Sequence, residues 1–302
     1  EIFILMQKIK SISEYFFLIC KFFLYKLKNF YFKSNFYNKK ITSDLPSKFN
    51  YRPSLHIINS LTSFSKKKIK IENYSLNSFW ELNSKNKLEF QSLHNFLWLT
   101  FLDIKTSKFF VQNIVENWID KNNVFNEETW ELGILSKRII AWLSNCNLTL
   151  DSSNKKYKEK FISNLIKQTN HLYLNIDRLD EDENKLVNCS SLILTGLVFE
   201  SQHKYYRFGL SMLQKFIKNN FNDSGFPKSR NPEELLLCLK YFILIKEWIK
   251  ESQNQVPDYL EEIIFSCGNS YDFLSSSLDE LPLFNGSAEI NNEEFKKYLN
   301  HL

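Results

Sequence analysis

Glycine and proline are scarce, six of each in 302 residues. Hairpins and β-turns draw heavily on both, so this scarcity argues against a β-rich fold and points to a mostly helical chain. Arginine is rarer still: only Arg52, Arg138, Arg178, Arg207 and Arg230 stand among 39 basic residues, which leaves 34 lysines. Lys, Asn, Ile and Phe are abundant, a bias that erodes any arginine doing only what lysine can do. Arginines that persist in it are candidates for work needing a planar, bidentate fork. The five cysteines, at 20, 146, 189, 238 and 267, show no C-x-x-C spacing, and four sit in apolar helical patterns. They read as small buried residues, with neither a zinc site nor a disulfide framework, and neither metal nor cofactor is expected in this chain. The lysines are scattered among acids except in SKKKIKI at 65–71, and the net charge of +5 is mild. A nucleic-acid protein presents a denser basic face, so no nucleic-acid partner is expected.

What is present is a soluble globular balance, 43% hydrophobic and 24% charged, long enough for one large or two ordinary domains. The first residue is Glu1, and the expectation is a chain cut from something larger. The segment MQKIKSISEYFFLICKFFLYKLKNFYFKS (6–34) is basic and aromatic, with apolar runs broken by Lys21, Lys26 and Lys28. It lacks the roughly 18 uninterrupted apolar residues of a membrane span, and a small-residue cleavage site. Residues 1–36 therefore read as an amphipathic helix that packs on the body or touches a membrane surface, with a signal anchor as the lesser reading.

Residues 34–90 are the least helical part and read as loop with one or two short strands, one of them in KKIKIENYSL (67–76). From Leu93 the pattern becomes successive amphipathic helices. They are expected at 90–102, 106–120, 128–147, 155–175, 185–199, 203–221, 232–251 and 256–277. DKNNVFNEET, LDSSNKK and DRLDEDEN separate some of them, rich in residues that cap helices and turn chains. LLLCLKYFILIKEWI (235–249) is apolar on more than one face, as a helix covered by neighbours on both sides must be. Trp98, Phe101, Leu135, Ile139, Leu194, Leu239 and Phe242 lie on apolar stripes and form the expected core. The division is 1–75, a basic helix plus irregular segment, and 76–302, a helical domain.

Three segments carry a resemblance: WELGILSKRIIAWL (130–143), NDSGFPKSRNPEELLLCLKYF (222–242) and SLDELPLFNGS (277–287). They are similar to the W-x(7)-R-x(3)-W helix, the SRNP-type loop and the LFNG exit segment of bacterial heparinase II/III-like polysaccharide lyases. FISNLIKQTNHLYLNI (161–176) resembles that family's Q-x-x-H-L helix. The resemblance runs over about residues 75–290. It implies an all-α, incomplete α/α toroid of antiparallel helical hairpins, followed by a C-terminal β-sandwich that is expected to begin where this sequence stops. The implied reaction is β-elimination on an acidic, uronic-acid-containing polysaccharide, at the cell envelope or in the periplasm; a cytoplasmic location stays open for want of a clear leader. A base removes the proton α to the sugar carboxylate, an acid protonates the leaving oxygen, and cations stabilise the developing enolate.

On that resemblance Asn184 is the carboxylate neutraliser, and Trp130, Arg138, Lys185, Lys228, Arg230 and Asn231 are substrate-binding. Arg138 and Arg230 are expected to converge on one cleft. The chain also departs from the pattern. Pro232-Glu233-Glu234 replaces the tyrosine after the SRNP-type loop, and Phe226 stands where that loop carries histidine. Each residue also has a structural reading. Trp142 and His171 belong to the core by their spacing, Trp130 fits core or sugar platform, Asn184 fits an N-cap, and Lys228 a solvated charge. Arg138 can pair with Glu131, and Arg230 with Glu233 or Glu234. The competing functions are a lyase, a non-catalytic carbohydrate-binding or scaffold module, and a membrane-surface protein.

Overall fold

The computed structural model describes residues 2–46, 48–54, 58, 80, 86–102, 107–178, 183–276 and 285–287. Its helices are α1 (Ile2–Lys33), α2 (Asn35–Ile41), α3 (Lys87–His94), α4 (Lys108–Asn122), α5 (Leu132–Ser144), the single turn α6 (Cys146–Thr149), α7 (Lys155–Asn175), α8 (Glu183–Val198), α9 (His203–Asn220), α10 (Pro232–Glu251) and α11 (Asp258–Ser276). Among the described residues there is no strand, only two isolated bridges, Phe49 with Phe199 and Phe221 with Pro227.

Side-chain chemistry sets the helix ends. Asn154 accepts from the Tyr157 amide at 2.8 Å to start α7, and Asn231 accepts from the Glu233 amide at 2.8 Å with Pro232 in the first turn of α10. These contacts satisfy amides that a helix start leaves without partners.

Helix α8 is central and packs on α5, α7, α9 and α10. Its direction relative to α5 follows from two contacts: Gly133 lies against the Asn184 side chain, and one turn on the Ser136 hydroxyl donates to Asn188 Oδ1 at 2.6 Å. Both contacts advance together, so α5 and α8 are parallel. Against α9 the order reverses, Gly196 lying under the Tyr206 backbone and Gly209 against Ile193, so α8 and α9 are antiparallel. Further pairings of α4 with α7 and of α9 with α11 build a second layer over α5, α8 and α10. The result is an all-helical, incomplete α/α toroid.

Double-sided burial explains the apolar sequences. Every residue of α5 except Lys137 is buried, and α10 is covered along most of its length. Each fully buried Leu, Ile or Phe contributes roughly 1.5–3 kcal/mol. At one end of the core Trp118 meets Trp142 edge-on at 5.5 Å, and Phe96 meets Trp118 at 5.8 Å, the arrangement favoured by aromatic quadrupoles.

Three expectations change. The helix foreseen at 90–102 is α3 plus a 3-10 turn at Leu97–Phe101, because Phe96 adopts φ 58° and ends the run. That break also puts Phe101 out of phase, 41% exposed, while the other six expected core residues are buried. The region read as irregular contains α2, started by Ser34, which accepts from the Tyr37 amide. The strand foreseen in 67–76 lies outside the described residues.

Candidate functional site

The segment 221–231, between α9 and α10, is a small closed structure. Asn222 and Phe226 are joined twice: Asn222 N donates to Phe226 O at 3.1 Å, and the Asn222 side-chain oxygen accepts from the Phe226 amide at 2.8 Å. Gly225 has φ 75° and faces the backbone of Ser266 and Cys267 so closely that a Cβ would lie 2.4 Å from the Ser266 carbonyl carbon. Only glycine satisfies both the left-handed backbone and that approach. The loop is thereby seated on α11.

Arg230 itself is left-handed, φ 59°, an uncommon state that costs a non-glycine residue roughly 1–2 kcal/mol. Its surroundings enforce it. The Arg230 amide donates to Pro227 O at 2.9 Å, Asn231 caps α10, and Ser229 holds the Glu234 carboxylate with its hydroxyl. From 54 residues away Asn285 completes the enclosure: its amide donates to Arg230 O at 3.1 Å and Ser229 O at 3.3 Å, while Asn231 Nδ2 donates to Asn285 O at 3.3 Å. The two sequence segments singled out separately, SRNP and LFNG, thus meet as one structural unit. Asn285 is the contributor that sequence reasoning missed; its place in LFNG was the available signal.

Between this loop and α11 lies a cleft of about 850 Å³. Lys228 and Arg230 line it with Asn222 and Asp223 from the loop, and with Asn269, Ser270 and the exposed ring of Phe273 from α11. The two cations differ. The Lys228 ammonium donates to Lys218 O at 3.2 Å and Asn219 O at 2.8 Å, satisfying carbonyls that end α9. Among the described residues the Arg230 guanidinium has no ion pair, and it is the cation available to an anion entering the cleft. The pairing foreseen with Glu233 or Glu234 does not form: Ser229 occupies Glu234, and no ion pair joins Glu233 to Arg230.

Arg138 is a correction. It is fully buried and faces no cleft: Nε donates to Gln168 Oε1 at 2.7 Å, and the two terminal nitrogens to His94 O at 2.8 Å and Thr129 O at 2.9 Å. Its guanidinium carbon lies 4.1 Å from the centroid of the Trp118 ring. Burial drives its pKa well below the ordinary arginine value, and the Glu131 carboxylate works in the opposite direction. Neither the convergence with Arg230 nor a direct pair with Glu131 forms. Glu131 instead caps α5, accepting from Gly133 N at 3.0 Å and Ile134 N at 2.9 Å.

Trp130 is likewise removed from sugar stacking. It is 1% exposed, donates from Nε1 to Asn122 O at 3.0 Å, and packs against Phe125 and His171. Asn184 and Lys185 lie in the first turn of α8; Asn184 is half-buried beside Gly133 and Glu131, inside the helix instead of at its cap, and Lys185 is buried. Of the expected site residues, the structure unites Lys228, Arg230 and Asn231 and places Trp130, Arg138, Asn184 and Lys185 elsewhere.

His171 and His94 are buried as neutral rings, both lowered to about 3 chiefly by burial. Tyr37 holds His171 Nδ1 at 2.7 Å, and Trp118 Nε1 donates to His94 Nδ1 at 3.0 Å. Tyr205 and Tyr206 are buried as well, the Tyr205 hydroxyl being given to Asn170. None of the four lines the cleft.

No family model and no curated protein matches this chain. Solved structures share its fold. A heparinase III structure superposes with TM-score 0.60 at 14% identity, over 80% of this chain and 48% of its own. The heparan sulfate lyase HepC from Pedobacter heparinus superposes with TM-score 0.58 at 13% identity, over 87% and 46% respectively. At such identities the likeness is one of fold. The chain spans about half the length of either structure.

Proposed function

We propose that this chain is the helical part of a heparinase II/III-like polysaccharide lyase, and that the Arg230 cleft takes a uronate-bearing segment of an acidic polysaccharide. The observation that carries the reading is the posture of Arg230. A guanidinium that pairs with no acid among the described residues is held over a cleft by a left-handed backbone that Asn231, Ser229 and Asn285 all enforce. Strain maintained in this way is a reason to look for function there. The lining suits a sugar: Phe273 offers a ring face, Asn269 and Ser270 offer hydrogen bonds, and the fork of Arg230 matches a carboxylate. Asp223 opposes an anion from the same lining, and the fit favours a chain whose charges are spaced along it.

For β-elimination, Arg230 would neutralise the uronate carboxylate and stabilise the enolate formed when the α proton leaves. The described lining holds no tyrosine or histidine. On this reading the acid and base come from the β-sandwich that the family resemblance implies, in an envelope or periplasmic setting. The same lining supports a second reading, a helical carbohydrate-binding module that holds the chain without cutting it.

Binding of uronate oligosaccharides to the intact protein and to Arg230→Lys tests the site. We expect about tenfold weaker binding for the variant, equivalent to roughly 1.4 kcal/mol. Equal affinities overturn the role of the fork. Ultraviolet absorbance of an unsaturated uronate product then separates lyase from binding module.

A further inference from the structure

Helix α1 has an unusual charge. The chain carries 39 basic and 34 acidic residues; α1 holds six of the former (Lys8, Lys10, Lys21, Lys26, Lys28, Lys33) and one of the latter (Glu14), leaving 33 of each elsewhere. The entire net charge of +5 therefore resides in this one helix.

Between Tyr15 and Phe30 its apolar side chains are largely uncovered. From Tyr15 to Lys28 every side chain is exposed except half-buried Cys20, and Phe30 is 79% exposed. At about 100° per residue, Phe16, Phe17, Ile19, Phe23, Leu24, Leu27 and Phe30 fall on one arc of roughly 160°, and Leu18, Phe22 and Tyr25 are exposed on the other side. Lys26 and Lys33 border that arc on one side and Lys21 and Lys28 on the other, each pair seven residues apart. Attachment to the body comes from elsewhere on the helix. Phe32 is buried against Tyr37, Phe125 and His171, and Asn29 donates to Glu127 Oε2 at 2.6 Å. Phe32 and Asn29 lie opposite the apolar arc, and the arc is exposed from Phe16 to Phe30 apart from half-buried Cys20, while Tyr31 beyond it packs on Tyr37.

We propose that α1 is an interfacial helix that seats the protein on an anionic lipid bilayer. The Phe and Leu arc enters the boundary between headgroups and acyl chains, and the bordering lysines reach back to lipid phosphates. Among the described residues no helix is long and apolar enough to cross a membrane, and the lysines along α1 suit a position in the interface plane. Charge selects this occupant over a second copy of the helix. Two helices of net charge +5 repel each other, whereas an anionic surface attracts both.

Cosedimentation of the full chain with vesicles tests this. Vesicles of phosphatidylcholine containing about one-third phosphatidylglycerol should bind the protein, pure phosphatidylcholine should bind it far less, and added salt should release it. Lys21→Gln with Lys26→Gln should lower partitioning about 25-fold, on the order of fivefold for each lysine. Phe16→Ser, Phe23→Ser and Phe30→Ser together should abolish binding with the thermal midpoint unchanged, since these rings pack on nothing in the body. Should that variant fail to fold, Phe23→Trp supplies a second readout, its emission shifting to the blue on anionic vesicles. No binding, equal binding to both vesicle types, or a concentration-dependent dimer that forms through α1 while vesicles are ignored would each overturn the proposal.

Discussion

Arg138 lies 4.1 Å over the ring of Trp118, and Trp118 in turn donates its indole N–H to His94 at 3.0 Å. The stack binds α3, α4 and α5 through one buried cation whose three donor nitrogens all reach acceptors within 2.9 Å. Arg138→Ala removes the donors to Gln168, His94 O and Thr129 O together and leaves a cavity. We expect a loss of at least about 3 kcal/mol in chemical denaturation, and more than about 1 kcal/mol for Arg138→Lys, which cannot reproduce the fork. A neutral result for Arg138→Lys would show that the geometry is dispensable.

Stability should fall in acid below neutral pH. His94 and His171 have folded pKa values of about 3 against an ordinary 6.5, so between these values the unfolded chain binds more protons than the folded one. Their stabilising effect is complete above about pH 6.5 and declines as pH falls towards 3, by up to roughly 1.4 kcal/mol per pH unit for each ring. Denaturant midpoints measured from pH 7.5 to 5 should show this slope, and His171→Gln should reduce it by about half.

Gly225→Ala places a Cβ against the backbone of α11 at a positive φ. The loop must lift from Ser266, and the cleft loses its shape. The expected result is weaker uronate binding with about 1–3 kcal/mol of destabilisation. Unchanged binding would dissociate the cleft from the site.

Asn285→Ala removes two exposed hydrogen bonds to the carbonyls of Ser229 and Arg230. Stability should change by no more than about 1 kcal/mol, while uronate affinity falls as Arg230 is released from its left-handed posture. Calorimetric titration beside thermal unfolding distinguishes the two effects.

Helices and their limits were legible where capping and periodicity agreed. α7 and α10 occupy the residues that Asn154 and Asn231-Pro232 mark out. At Phe96 the reading failed because nothing in its composition announces a left-handed residue inside an apolar run. Arginine scarcity rightly implied a need for the planar fork of Arg138, but not where the fork points: its partners are two main-chain carbonyls and a glutamine. Burial on every side likewise decides Trp130, whose neighbours come from α7 and from the chain before α5. The loop 221–231 was better marked, since Gly225, Pro227 and Asn231 each have a local role that their chemistry dictates.

The tie between Asn231 and Asn285 also has a meaning in time. Its partners are separated by α10, α11 and the chain beyond, so the clamp on the Ser229–Asn231 loop is complete only when some fifty residues after Asn231 have been synthesised and folded back. The pairing of α5 with α8, and of α8 with α9, needs only residues that emerge earlier. Vectorial synthesis therefore lets α5, α8 and α9 pair first and fixes the backbone of the Arg230 loop afterwards.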